Sequence, residues 1–517
     1  MLTGDMRCSR ISLQAKLLAL FAWALASACS ADEAGAGRGV LLVAIDELRA
    51  DRMSAYGYER ETTPNLDRLI DKGVLFSRTF STAPLLIPAH TSLLTGCYPV
   101  LARRRIPKNI QIPESNRWRV PESLPRLSME FLSAGYSTAA FLDTESLNSF
   151  GGYDHGFQVF ERDDPQNRRD RTERGGEALS MALRGWLADL PAGKDWFAYL
   201  HLRDLSRIWR ESDTEWDGYF PLPEEPTFVP PTGATDDVFF TVPRSRWSGW
   251  PRTMAVHEQR YDGALRRIDE LLGRLFRNLE LEQMWSKTTV CVVGTYGLQF
   301  GENGLFFSSG LLSVSELQVP WILKLAPEVG ETGERAPLGM HRGQRLDHLA
   351  SLVDVAPTLL EWEGLPIPSG THGLSHLPFL RGEKAEVRHF AFASGGIVDG
   401  SVVFGDEWAF EELRFDARSP DLIKQWFGTT KPAGGLTESR LYKYGEELAG
   451  AGSSATEETP EEVPEDREQE LRQVLATWHG NLTDAWAVLQ ASLESNQVSD
   501  QETIERLEEL GYIGEQR

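Results

Sequence analysis

The chain has 517 residues, 41% of them hydrophobic, enough for a large buried core and, at roughly 150 residues per domain, about three domains. Its 53 Lys and Arg against 76 Asp and Glu leave a net charge of -23, which repels polyanions and argues against a nucleic-acid partner. The 4 cysteines include no CxxC pair, so neither a disulfide framework nor a Cys-based metal site is expected.

From the N-terminus, residues 6–28 carry Arg7, Arg10 and Lys16, then an apolar run over 17–25, then Ala26-Ser27-Ala28 before Cys29. This is the layout of an export signal. The apolar run is far shorter than the roughly 20 residues of a spanning helix. Residues 1–28 are therefore read as an export or lipoprotein signal and 29–38 as a short linker, with the mature protein outside the cytoplasm. The sequence Ala-Ser-Ala-Cys suits lipid attachment at Cys29, giving a periplasmic or outer-surface lipoprotein whose only membrane contact is the anchor. Ala26 and Ala28 also suit plain cleavage after Ala28 and a freely secreted chain.

Residues 39–45 (GVLLVAI) form a continuous apolar run ending at Asp46. Such a run reads as a buried parallel strand with a carboxylate at its C-terminal end, where open α/β sheets place ligands. Thr63-Pro64 opens a helix with Thr63 as N-cap, Leu66, Leu69 and Ile70 on one face, and Gly73 as the stop. Strand-like runs recur at 138–142, 196–202, 288–293 and 321–325 with helical stretches between them, the alternation of a mostly parallel sheet between helices. This α/β region is assigned to 39–385. Residues 386–445, with β-like pieces at 389–393 and 400–404, read as a smaller C-terminal α+β subdomain. Residues 446–466 are rich in Glu, Gly, Ala, Ser and Pro and read as an acidic flexible linker. The remainder, 467–517, is assigned to C-terminal helices, with two amphipathic ones at 467–478 and 483–493.

Several blocks in order along the chain resemble the sulfatase branch of the alkaline phosphatase superfamily: AIDELRADRMSAYGYERETTPNLDRLIDKGVLFSRTFSTAP, IPAHTSLLTGCYP, YDGALRRIDELLGRLF, LQVPWIL, LVDVAPTLLEWEGLPIP and IERLEELGYIG. The resemblance implies the alkaline-phosphatase/sulfatase α/β fold. It also implies sulfate-ester hydrolysis by a formylglycine matured from Cys or Ser in Cys-x-Pro-x-Arg, helped by a calcium ion. Anchored on Pro88, the nucleophile position is Leu86, which has no heteroatom, and the Arg position is His90, which can still contact an anion. The first pair of metal ligands falls on Asp46 and Glu47. The second falls on Thr295 and Tyr296, where the family has Asp and His or Asn, while Gly297, Gly301, Glu302 and Gly304 keep the frame. Losing charged oxygens weakens a hard-cation site, so no cofactor is assigned and calcium stays a candidate at Asp46 and Glu47 alone.

Other parts of the implied machinery are missing too. Ser206 occupies the His position of an Asp-x-His motif that begins at Asp204, residues 141–144 contain neither of the expected Lys and His, and residues 306–313 contain no Lys. The hydroxyls of Ser81, Thr82, Thr91 and Ser92 are out of register with the nucleophile, and Thr91 and Ser92 read as capping or lining the first turn of the following helix. Tyr261, Asp262, Asp269 and Asp354 read as capping and packing residues. Arg103, Arg104 and Arg105 could hold an anion at the cleft mouth or form a solvated loop. Two functional readings follow. One is an exported pseudo-sulfatase, catalytically inactive, that binds a sulfated or anionic glycan, a small anion or a protein partner through the old cleft. The other is an active sulfuric-ester or phosphate-ester hydrolase with a divergent metal-dependent site built from Asp46, Glu47 and His90.

Overall fold

The computed structural model describes residues 37–99, 119–162, 175–208, 218–222, 229–230, 253–302, 306–326, 328–329, 335–336, 343–383, 387–395, 399–405, 407–415, 436–443 and 465–495. The expected export segment with Cys29, the Arg103–Arg105 cluster and residues 446–464 lie outside these. Eight strands build the main sheet: β1 (Gly39–Asp46), β2 (Val74–Phe80), β3 (Ser137–Leu142), β4 (Val159–Arg162), β5 (Trp196–Leu202), β6 (Thr288–Tyr296), β7 (Gln318–Lys324) and β8 (Gln344–Ser351). Their order is β8-β2-β7-β6-β1-β5-β3-β4, with β1 held between β6 and β5. Only β7 runs antiparallel to its neighbours, so the sheet is mostly parallel, as the alternating pattern implies.

Central placement explains why β1 needs no polar alternation. Val40, Leu42 and Ala44 join Phe197 and Tyr199 in one core, while Leu41, Val43 and Ile45 join Trp196, Ala198 and Leu200 in the other. Both faces are covered, and side chains alternate between them with the strand's period of two. The helices here named α1 (Pro64–Asp71), α2 (Leu86–Thr95), α3 (Gly176–Ala188) and α4 (Met254–Leu281) supply the cover, with α2 on the first face and α4 on the second. Strands β2 and β8, like the four-residue edge strand β4, were not among the runs picked out above. Ser77, Arg78 and Thr79 interrupt the first, and the second is a polar edge strand, QRLDHLAS, where one side needs no apolar residues.

Two local expectations are corrected. Thr63 precedes α1 but makes no side-chain cap. The free N–H groups of Asn65 and Leu66 donate instead to the carboxylate of Asp269 on α4, at 3.0 and 2.8 Å. A remote acid does what a local N-cap would do, and ties two helices together. At the C-terminus, four antiparallel strands, β9 (Ala391–Ser394), β10 (Asp399–Phe404), β11 (Trp408–Phe415) and β12 (Leu436–Lys443), form the small sheet. The two amphipathic helices expected beyond it are one continuous helix, α5 (Glu465–Ser495). Gly480 lies in the gap between the two expected helices, but a helix-interior glycine costs only about 1 kcal/mol. Leu471, Leu475 and Trp478, spaced at i, i+4 and i+7, offset that by packing on Val403 and Phe410 of the small sheet.

Candidate functional site

Asp46 ends β1 on the face that carries Ala44, and the register pairs Ala44 with His201 of β5. Asp46, Tyr199 and His201 therefore lie on the α2 side of the sheet, where α2 presents His90. Asp46, His90, His201 and Thr295 are all fully buried. One carboxylate oxygen of Asp46, Oδ1, is 2.8 Å from Nε2 of His90 and accepts a 2.6 Å hydrogen bond from the Thr295 hydroxyl. The other, Oδ2, lies 3.0 Å from Nε2 of His201 and 3.3 Å from Nε of Arg203. Those two approaches are not aligned as hydrogen bonds: Asp46 Oδ2, both ring nitrogens of His201 and Arg203 Nε are buried without such a partner. On its far side His90 meets the hydroxyl of Tyr199 through Nδ1. The rings of His90 and His201 stand edge to face, with centroids 4.4 Å apart.

The electrostatics follow from burial and proximity. Burial opposes the charge of Asp46, yet His201 and His90 against it hold the carboxyl well below its ordinary range, so it is ionised. Burial outweighs Asp46 at His201 and lowers its pKa to about 4, leaving a neutral imidazole at pH 7. Burial, with the charge of Asp46 next, pushes the Tyr199 phenol well up, so it stays protonated. Burial works against the charge of Arg203, but Tyr296, Asp46, Glu47 and Asp143 raise its pKa, and its side chain keeps 31% exposure. It is the one member of the group that reaches solvent. Glu47 is 2% exposed and takes a left-handed backbone, φ 60°, a conformation that costs a residue with a side chain roughly 1–2 kcal/mol. Its carbonyl accepts from Tyr261 at 2.7 Å.

The remaining sequence-derived positions divide into frame and filler. Leu86 begins α2 and packs its side chain against the sheet core. Thr91 and Ser92 are corrected: they sit in the second turn of α2 and do not cap it. Thr91 Oγ1 donates to the carbonyl of Ile87 and contacts Tyr153, Thr82 donates to Ser92, and Ser81 donates to the carbonyl of Ala83. Each of these hydroxyls is engaged in local structure. Asp204 accepts from the N–H of Gly176 at the start of α3, and Ser206 donates to the carbonyl of Arg203. Gly297 persists because a Cβ there would meet the Ser315 carbonyl oxygen at 2.2 Å. Glu302 persists because it pairs with the fully buried Arg49 at 2.7 Å.

Calcium does not fit this arrangement. That ion takes six to eight oxygens, whereas Asp46 is surrounded by nitrogens of His90, His201 and Arg203 and by a hydroxyl that donates to it. Tyr296 faces Asp46 across β6 and β1 after a register shift between Ile45 and Asp46. It therefore stands beside the carboxylate, but as a phenol. His201, Arg203 and Tyr199 were missed from sequence. The available clue was an alternation inside WFAYLHL: residues 197, 199 and 201 share one face, and two of the three are polar-tipped in an otherwise apolar strand.

The mostly parallel sheet between helices, with Asp46, His201 and Thr295 at the C-terminal ends of β1, β5 and β6, is the mixed α/β architecture of the alkaline phosphatase superfamily. The chain belongs to the sulfatase family, whose model matches residues 38–365. It is 24% identical over 431 residues to a multifunctional alkaline phosphatase superfamily protein, PehA, of Trinickia caryophylli, covering 69% of this chain and 80% of that one. It is 25% identical over 408 residues to the N-acetylgalactosamine-6-sulfatase of Canis lupus familiaris, covering 71% of each. The phosphonate monoester hydrolase SpPMH of Silicibacter pomeroyi shares the fold with a TM-score of 0.56 at 19% identity, over 86% of this chain and 95% of that one. No described helix is long and apolar enough to cross a membrane.

Proposed function

We propose that the chain is an exported, catalytically silent member of the sulfatase family that binds an anionic ligand, with sulfated glycans as the first class to test, through the remnant of the ancestral site. The observation that carries this reading is the pair of replacements around Asp46. Leu86 puts a hydrocarbon, packed against the sheet core, at the position aligned with the nucleophile, and the Asp46 carboxylate faces the Arg203 cation and two imidazoles instead of further oxygens. Removing a hydrolase's nucleophile costs roughly a millionfold in rate, and none of the neighbouring hydroxyls described above is free to replace it. Arg203 is both cationic and partly exposed, so it is the residue that would meet an anion.

One observation favours the competing reading of a divergent hydrolase: Asp46, His90 and His201 converge closely enough to share an ion. A single assay separates the two. Purified protein is incubated with aryl sulfate and aryl phosphate esters in calcium, magnesium, manganese or zinc. The expected result is no turnover above the Asp46→Ala variant. Metal-dependent turnover that Asp46→Ala abolishes overturns the silent reading. For binding, calorimetry with sulfated oligosaccharides should show heat that Arg203→Ala removes.

A further inference from the structure

We infer that Asp46, His90 and His201 form a site for a divalent transition ion of the zinc type. The set differs from the oxygen-ligated calcium site that the family resemblance implies, since two of its three members are imidazoles contributed by α2 and β5. The inference goes beyond the binding reading above, because an ion there requires neither an anion nor turnover.

Three observations lead to it. The donor atoms of the three side chains lie within 4.8 Å of one another, and all three residues are fully buried. His90 Nε2 is 2.8 Å from one carboxylate oxygen of Asp46, and His201 Nε2 is 3.0 Å from the other. Around a tetrahedral zinc with bonds of about 2.0–2.2 Å, neighbouring ligand atoms sit about 3.3 Å apart. The two nitrogen–oxygen approaches need to lengthen by only a few tenths of an ångström, and the remaining donor separations, all within 4.8 Å, are closed by small side-chain rotations onto the ion.

Second, Asp46 Oδ2 and both ring nitrogens of His201 are buried with no aligned hydrogen-bond partner. Buried polar atoms left in this state are costly, so a ligand that satisfies them binds favourably. One ion would satisfy both Asp46 Oδ2 and His201 Nε2. Third, His90 has an outer partner of the kind metal-bound imidazoles use, since its Nδ1 meets the Tyr199 hydroxyl. With Nε2 on the ion, Nδ1 would carry the proton and donate it to the phenol oxygen.

Imidazole nitrogens with a carboxylate suit zinc and its neighbours and are poor ligands for calcium or magnesium. Arg203 is the natural competitor, being a cation 3.3 Å from Oδ2, but its partial exposure lets it swing to solvent when the ion enters.

The test uses the purified full chain, stripped with chelator and titrated with zinc chloride by calorimetry and with cobalt(II) by visible absorption. One ion per chain is expected, with cobalt bands of a low-coordinate nitrogen–oxygen site. His90→Gln and His201→Gln should each weaken zinc by at least 100-fold, and Tyr199→Phe by roughly 10- to 100-fold. Arg203→Ala should tighten it, and because that residue is partly exposed the variant serves even if the buried ones fail to fold. No uptake by the folded chain overturns the inference. So does uptake that His90→Gln and His201→Gln leave unchanged, or that Arg203→Ala weakens. Ester turnover would overturn the silent reading without touching the metal site, and absence of zinc would remove the metal site without restoring turnover, so the two fail separately.

Discussion

Asp46 and Asp354 are both fully buried acids, and each faces an arginine and at least one histidine. At Asp354 every approach is a bond. Oδ1 accepts from the N–H of Leu374 at 2.8 Å and from Arg388 Nη2; Oδ2 accepts from the N–H of Ser351 at 2.8 Å and from Arg388 Nε at 2.9 Å, with His376 Nε2 at 3.3 Å. At Asp46 one oxygen is satisfied by Thr295 and His90, while the other is merely surrounded. Arg388 has 8% side-chain exposure against 31% for Arg203. A fork held on both nitrogens and sealed from water is an anchor joining β8 to the segments around residues 374 and 388. Asp46, by contrast, is a loosely approached carboxylate beside a partly exposed cation.

The largest expected effect tests that contrast directly. Asp354→Ala should cost about 3–5 kcal/mol of unfolding free energy, because it leaves the Arg388 charge buried without its partner. Asp46→Ala should cost about 1–2 kcal/mol, since Oδ2 makes no aligned bond and Arg203 can turn to water. Urea unfolding of both variants in the presence of chelator checks this. Equal losses would erase the distinction between anchor and remnant.

A smaller effect lies in pH. His348 stacks behind His376 in the Asp354 cluster, 3.0 Å from its Nδ1, and burial lowers its pKa to about 4. Its folded value is thus below the ordinary unfolded value of about 6.5, so the unfolded chain binds more protons between those limits. Stability should therefore be flat above pH 6.5 and fall as pH drops toward 4. Discounted for the partial exposure of the ring, the loss should be roughly 1–2 kcal/mol. Below about pH 4 the depressed carboxyl of Asp354 should add a further loss as it is protonated. Fully buried His201, its pKa also lowered to about 4, adds a loss of stability over the same window, so His348→Gln should reduce the slope between pH 6.5 and 4 without abolishing it, measured as urea midpoints across pH. A slope unchanged in that variant would assign the acid sensitivity elsewhere.

Much of this geometry could be read from residues in order, and the unread part has a common cause. A strand closed by Asp46, a hydrocarbon at position 86 and a changed pair at 295 and 296 are local patterns, visible because each sits inside its own motif. His201 becomes part of the site only through the register that pairs it with Ala44, more than 150 residues earlier in the chain, and Arg203 only through the strand that carries them both. Asp269 replaces Thr63 as the cap of α1 by the same kind of long-range meeting. The single helix α5 was hidden for a different reason: its first half is held by the small sheet through Leu471, Leu475 and Trp478, a contact that the helix's own sequence does not announce.

The smallest expected effect is the one most relevant to function. Leu86→Cys puts a sulfur at the position that the family resemblance aligns with the nucleophile, on the first turn of α2. The side chain is only partly buried against the core, so the loss of apolar contact should cost about 1 kcal/mol. Its gain in sulfate-ester hydrolysis should be nil even if the thiol is matured to an aldehyde. A nucleophile needs a cation to collect the charge of the transition state, and chelator-treated protein holds no metal to supply it: Thr295 and Tyr296 occupy the positions that the family resemblance gives to the second pair of calcium ligands, and Asp46 is engaged by His90, His201 and Arg203. Assays of Leu86→Cys alone, and of Leu86→Cys combined with Thr295→Asp and Tyr296→Asn, separate the two losses. Activity in the single variant would mean that the rebuilt pocket still supplies the positive charge catalysis requires, and that Leu86 alone keeps the protein silent. Activity confined to the triple variant would place the decisive loss at the metal ligands, where the comparison between Asp46 and Asp354 puts it.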